Sequence, residues 1–235
     1  MIARFHSRRR RRVPAAGSLP DTPYILDDFT TAAAAPLTTP RTCEAGPGKC
    51  IITDTAGTGL SIADGALSIV GTGTFGQAAA AFTLNDGATG MTRAPDLCVD
   101  FDVAAVINAM FFVGLQTVTA PQVAPTIGTV LYAVRINTAE KLDVYAFNGT
   151  SLPVAENVAD WVPGTAYRIR LKLRMAGCVF QISGGAFGEL GVAWTTLHTS
   201  TLISAIGPLY PVINSRLAPA VTLARVSAYR PGGAA

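Results

Sequence analysis

The chain has 235 residues, 49% of them hydrophobic and only 14% charged, with a formal net charge of +3. That length accommodates one large β domain as well as two small ones, and the charge content is well below the roughly 25% of an average soluble domain. No apolar run approaches the ~18 residues of a membrane-spanning helix, and the four cysteines (Cys43, Cys50, Cys98, Cys178) form no Cys-x-x-Cys pair, which argues against zinc and redox motifs.

The charge is unevenly placed. Arg4 and Arg8, Arg9, Arg10, Arg11 and Arg12 put six of the 18 basic residues into the first twelve positions, leaving 12 against 15 acidic residues, a net of −3, for the remainder. A mildly acidic body behind a basic arm points to a partner for the arm rather than to a basic face on the fold. The stretch that follows, Val13-Pro14-Ala15-Ala16-Gly17-Ser18-Leu19-Pro20, is too short and broken for the apolar core of a secretory signal, so a soluble, cytosolic product is expected. Residues 1–23 read as arm and linker, and residues 24–235 as one domain.

From Tyr24 onward short strands alternate with turn signals. Asp64-Gly65 between Leu60-Ser61-Ile62 and Leu67-Ser68-Ile69 supplies the positive-φ residues of a tight hairpin. Ala-rich Phe75–Leu84 has helical propensity, yet its flanking signals favour a strand. Leu97, Val99, Phe101 and Val103 alternate with Cys98, Asp100 and Asp102, and Val130, Tyr132, Val134 and Ile136 with Leu131, Ala133 and Arg135; period two marks half-buried strands. Between them Ala105–Val113 is apolar apart from Asn108, and Thr117–Thr129 is a Pro-containing loop. Asn148-Gly149 closes a turn after Val144–Phe147. The clearest strand is Thr165–Arg174, where Tyr167, Ile169, Leu171 and Leu173 alternate with Arg168, Arg170, Lys172 and Arg174. Pro163-Gly164 and Ala176-Gly177 bracket it, Cys178–Ile182 forms its hairpin partner, and Val221–Tyr229 ends a series of about a dozen strands. Two packed antiparallel sheets bury that many inner faces.

The opening Ile25-Leu26-Asp27-Asp28-Phe29, the Asp-Gly hairpin, the strands around Tyr132-Ala133-Val134-Arg135 and Leu142-Asp143-Val144-Tyr145, and Trp161-Val162-Pro163-Gly164-Thr165-Ala166-Tyr167-Arg168-Ile169 resemble the concanavalin A-like lectin/glucanase (laminin G-like) jelly rolls, particularly those of bacteriophage structural proteins. The resemblance spans Tyr24 to Arg230 and implies an all-β, two-sheet antiparallel jelly-roll sandwich with an extended N-terminal arm. The arm itself resembles the anchors of phage tail and head appendages.

Glucanases of this kind carry Glu-x-Asp-x-Glu on one strand, so that nucleophile and acid face the sugar together. No such run occurs here. Asp100 and Asp102 alternate on one strand, about 7 Å apart on one face, and read as a solvated edge. Glu44, Glu140, Glu156 and Glu189 are scattered, and His6 and His198 lie nearly a chain length apart, which suggests neither a catalytic triad nor a His-bound metal. Gly71–Gly76 precedes a strand rather than a helix and reads as a turn, not a phosphate loop. Calcium stays open, because Asp27, Asp28, Asp86 and Asp96 lie near turns and hard ligands must converge in space; no cofactor is otherwise expected.

For carbohydrate, Trp161, Trp194, Tyr145 and Tyr210 are the candidate contacts, against their ordinary role as core or rim residues. Cys43 and Cys50 bracket a turn-rich loop that a disulfide could close. The leading expectation is a non-enzymatic component of a phage-like virion, assembled in the host cytoplasm and acting as capsid or tail decoration or host-attachment adhesin. Its arginine arm would dock into other virion proteins, with nucleic acid as another partner for the arm. Low charge points to a homo-oligomer, and a host-surface glycan is the candidate outer ligand. The alternatives are a lectin-like carbohydrate-binding module outside a virion, and a glycoside hydrolase.

Overall fold

A computed structural model describes residues 23–33, 37, 40–54, 59–70, 78–84, 89–92, 94–105, 111–120, 129–147, 155–202, 207–215 and 221–231. The arginine arm, Gly71–Gly76, Asp86, most of the Thr117–Thr129 loop and the Asn148-Gly149 turn lie outside these residues.

Sixteen strands are present among them: β1 (Ile25–Asp27), β2 (Arg41–Thr42), β3 (Lys49–Asp54), β4 (Leu60–Ala63), β5 (Ala66–Ile69), β6 (Ala78–Thr83), β7 (Cys98–Ala105) and β8 (Phe111–Gln116), then β9 (Val130–Ile136), β10 (Lys141–Ala146), β11 (Ala155–Asp160), β12 (Tyr167–Leu173), β13 (Cys178–Ser183), β14 (Thr195–Ser200), β15 (Tyr210–Ser215) and β16 (Val221–Tyr229). The one helical piece among the described residues is a 3-10 turn at Gly185–Phe187. Ala-rich Ala78–Thr83 is a strand, buried on both faces; burial between neighbouring strands overrides the helical propensity of alanine.

The strands form two antiparallel sheets. The first has the order β14-β13-β12-β7-β16-β5-β4, with β1 also on β16, and the second runs β11-β10-β9-β8-β15-β6-β3-β2. Tight turns set the local register where the backbone demands it. Asp64 (φ 52°) and Gly65 (φ 72°) make the β4–β5 hairpin, the pair of positive φ values that matches strand twist. Gly177 (φ 88°) closes β12–β13, and a Cβ there would lie 1.7 Å from the Ser200 carbonyl oxygen, so only glycine fits.

Alternation then builds the core. Val99, Phe101 and Val103 of β7, Ile169 and Leu171 of β12, Leu223 and Val226 of β16, Phe111, Val113 and Leu115 of β8, Tyr132 and Val134 of β9, and Ile213 of β15 meet between the sheets. Each such side chain removed from water contributes roughly 1.5–3 kcal/mol. A smaller cluster of Ala81, Phe112, Val130, Ala133, Tyr145 and Val212 lies apart from this core. Phe111 and Val113 face the main core, whereas Phe112 belongs to this second cluster.

Candidate functional site

The antiparallel register of β7 and β12 sets Asp100 opposite Arg170 and Asp102 opposite Arg168. These residues alternate with the core set, so they occupy the outer face of the first sheet. Arg170 donates Nε to Asp100 Oδ1 and Nη2 to Asp100 Oδ2, both at 2.8 Å. The Tyr229 hydroxyl donates to the same carboxylate at 2.9 Å, and Trp194 lies over the guanidinium, 3.6 Å from its carbon to the ring centroid. Arg168 holds Asp102 in the same bidentate way, with Nη2 to Oδ2 at 2.6 Å. The chain around Gly191 closes over Arg168, where a Cβ would lie 2.4 Å from Nη1, and Gly191 N donates to Ser183 Oγ at 2.9 Å. Lys172–Asp96 (3.3 Å) and Arg225–Asp28 (2.7 Å) extend the ladder.

This arrangement corrects the solvated-edge expectation. Asp100 is 2% exposed and β7 is an interior strand; local alternation does not tell which strands flank a carboxylate. Neither Asp100 nor Asp102 is free to act as nucleophile or acid, because both oxygens of each are taken by a guanidinium. Burial, with the Asp100 charge beside it, pushes the Tyr229 hydroxyl well above the ordinary tyrosine range.

The outer face of the second sheet has a different character. On β15, Tyr210, Val212 and Asn214 alternate with core-facing Ile213; on β8, Phe112, Gly114 and Gln116 alternate with Phe111, Val113 and Leu115. The register places Asn214 opposite Phe112, Phe112 opposite Arg135, and Arg135 opposite Asp143. Arg135 donates Nη2 to Asp143 Oδ2 at 2.8 Å, and its guanidinium carbon lies 4.9 Å from the Tyr145 ring centroid. Asp143 also accepts from Asn137 Nδ2 and from Asn157 N, each at 3.0 Å. Burial pushes the Tyr145 hydroxyl up to about 12, with Arg135 opposing the shift. Asn214 is fully buried, yet neither its Oδ1 nor its Nδ2 has a hydrogen-bond partner, and Arg135 Nε has none either.

The four candidate aromatics are thereby sorted. Trp161 is 4% exposed, edge-on to Phe111 at 5.4 Å and 4.3 Å from Tyr167; it fills the end of the core and presents no ring to a sugar. Trp194 is half-buried and stacked on Arg170. Tyr145 and Tyr210 share the outer face of the second sheet, both largely buried. Asn214 and Arg135 were missed by the sequence reading; Arg135 is the one charged residue of β9, and Asn214 follows the apolar Pro211-Val212-Ile213 of β15, which is the signal that marks them.

Cys43 and Cys50 are free, buried thiols rather than a disulfide. Burial pushes Cys43 up to about 12 and Cys50 well above its ordinary value. Of the carboxylates considered for calcium, Asp86 lies outside the described residues and the other three are each paired with a cation: Asp27 with Arg41, Asp28 with Arg225, and Asp96 with Lys172. No group of three or more His, Cys, Asp or Glu that could hold a metal occurs among the described residues. A groove of about 480 Å³ runs beside the β12–β13 turn, between Pro95 and Asp96 on one side and Thr199 and Thr201 on the other, with Met175 exposed at its rim. Its lining holds no aromatic ring.

No protein-family model matches the chain. No curated protein matches it. Solved structures do. The exoplasmic/lumenal domain of VIP36 in its Ca2+/Man-bound form aligns with a TM-score of 0.57 at 5% identity, over 85% of this chain and 91% of that one. Its Ca2+/Man3GlcNAc-bound form aligns at 0.54 and 8% identity, over 80% and 85%. A xylan β-1,4-xylosidase from Bacillus halodurans C-125 aligns at 0.52 and 10% identity over 87% of this chain but 39% of the enzyme, and a sialidase at 0.52 and 10% over 78% of this chain but 17% of that one. The chain thus spans well under half of either enzyme and nearly all of the lectin-like domain. At these identities the likeness concerns architecture: the chain has the concanavalin A-like, two-sheet jelly-roll sandwich.

Proposed function

We propose that the domain binds glycans and does not cleave them. The observation that carries this reading is the alignment with the VIP36 lumenal domain over nearly the full length of both chains, in forms whose ligands include mannose and Man3GlcNAc. Fold alone is a weak guide to function, and the side chains add to it. The one alternating carboxylate pair, Asp100 and Asp102, is neutralised by Arg170 and Arg168, and Asp143 is engaged by three donors. That supports binding over hydrolysis, which needs a free acid and a free base or nucleophile. A glycan array probed with residues 24–235, together with a reducing-end assay on every bound glycan, tests the reading. Saturable binding without turnover is expected; turnover abolished by one Asp or Glu change would overturn it.

A second reading is favoured by the arginine arm. Arg4 and Arg8–Arg12 ahead of an acidic body suit docking into an acidic socket of another protein or onto phosphates, and so a lectin-like module displayed on a virion. Deleting residues 1–12 is then expected to leave folding intact and abolish incorporation into purified particles. A chain found only free in the cytosol speaks against the particle.

A further inference from the structure

We infer that the β14 edge of the first sheet is a self-association surface, at which two copies of this chain pair their β14 strands antiparallel about a two-fold axis. The inference is independent of glycan binding.

A sheet edge offers a row of unpaired N–H and C=O groups, and proteins normally blunt it with charge, proline, brevity or cover. Of the four terminal strands of the two sheets, three are blunted in this way. Ile62 of β4 exchanges both backbone hydrogen bonds with Ala33, at 2.8 and 2.9 Å. The β2 strand is two residues long. The β11 strand carries exposed Glu156 and Asp160 and leaves the strand conformation at Asn157 (φ 51°). By contrast β14, Thr195-Thr196-Leu197-His198-Thr199-Ser200, has neither a charged residue nor a proline, and β13 is its one paired strand among the described residues. Thr195, Thr196 and Thr199 are exposed.

The faces of β14 fix the register of such a pair. Thr195, His198 and Ser200 lie opposite Ile182, Phe180 and Cys178 of the core, whereas Thr196 and Thr199 lie opposite Gln181 and Val179 on the outer face. Leu197, the extra residue at the irregularity in this pairing, packs against the core. From Thr195 to Ser200 the faces therefore run inner, outer, inner, inner, outer, inner, an order that reads the same in both directions. A two-fold axis between Leu197 and His198 sets every residue opposite one of its own face, Thr196 against Thr199 and Thr195 against Ser200, whereas a slip of one residue mismatches them. Hydroxyl pairs of this kind favour cross-strand pairing, and no like charges meet. The same axis carries the chain ahead of β14, with exposed Glu189 and Val192, to the far end of β14 in the other copy, where Arg174 and Met175 rim the groove beside Thr199 and Thr201. Opposite charges, and two apolar side chains that are 45% (Val192) and 83% (Met175) exposed, are thereby brought to the same end of the paired strands.

Sedimentation velocity of the full chain across the micromolar range is expected to show a monomer–dimer equilibrium, and a monomer at every concentration overturns the proposal. Thr196→Lys/Thr199→Lys sets like charges opposite each other across the axis; it is expected to raise the dissociation constant about tenfold or more at low salt, with the circular dichroism spectrum unchanged. Thr196→Glu/Thr199→Glu is expected to do the same. Mixing the two in equal amounts turns each like pair into a Lys–Glu pair, so association is expected to return close to the wild-type level. Dimers that either double variant leaves intact, or a mixture that stays monomeric, overturn the surface. Should a double variant fail to fold, Met175→Glu decides the matter, because its side chain is 83% exposed and the change sets a carboxylate against Glu189 of the other copy. Weakened association at low salt is then the expected result, and wild-type association overturns the proposal.

Discussion

Replacing Asp100 by asparagine removes one charge from the buried ladder and leaves its shape in place. The carboxylate accepts Nε and Nη2 of Arg170 and the Tyr229 hydroxyl; the amide keeps one acceptor oxygen and turns a donor toward the guanidinium. The side chains are 3% and 16% exposed, so solvent does little to replace what is lost. Removing one partner of a buried pair costs about 3–5 kcal/mol. Because Trp194 and Tyr229 stay in contact with Arg170, the lower end, about 3 kcal/mol, is expected. For a domain of this size that corresponds to a fall of roughly 6–12 °C in Tm. Urea unfolding followed by circular dichroism measures it, with the midpoint shifted and the slope unchanged. The double variant Asp100→Leu/Arg170→Leu is expected to recover most of the loss, since apolar replacement of a whole buried pair is close to neutral. A loss under about 1 kcal/mol for Asp100→Asn would refute the view that this ladder is a desolvated structural element.

The four thiols are buried and free, and Cys43 and Cys98 are pushed up to about 12 and 11. Native protein at pH 8 is therefore expected to react slowly with a thiol reagent at all four positions and fully in denaturant; rapid native labelling, or a Cys43–Cys50 bond by mass spectrometry, contradicts this. Glu44 accepts from Asp28 N (3.2 Å), Thr30 N, Thr30 Oγ1 (2.7 Å) and Thr31 N (3.2 Å). Desolvation opposes these bonds, but together they hold its carboxyl below the ordinary 4.5. A lowered folded-state pKa contributes stability that is present above the unfolded value and lost as pH falls through the folded one. Glu44→Gln is expected to cost on the order of 1 kcal/mol at pH 7 and progressively less below pH 4.5, and a pH-independent difference counts against the assignment.

Where a strand carries its own alternation, the sequence reading found it. Thr165–Arg174 contains β12 with its core set assigned correctly, although Arg168 and Arg170, expected to face water, are largely buried in the ladder; Val221–Tyr229 coincides with β16, and Asp64-Gly65 forms the expected hairpin. Two- and three-residue strands such as β2 and β1 exist only because β3 and β16 pair with them, and no period is visible in so few residues. The candidate site was harder for the same reason. Asp100 looked like an edge residue because Arg170 is 70 positions away, and Phe112, Arg135 and Asn214 meet only through the register of β8, β9 and β15. Trp161, one of four aromatics weighed as sugar contacts against a core or rim role, is drawn into the core by Phe111 and Tyr167, which no local pattern around it reveals.

The most direct test of the glycan-binding reading is an NMR titration of isotopically labelled protein with the best-retained glycan of the array. Backbone amide shifts confined to one contiguous surface and saturating together at one Kd, with the glycan left intact, are the expected result. A spectrum that no glycan perturbs, or cleavage of the glycan during the titration, would contradict it.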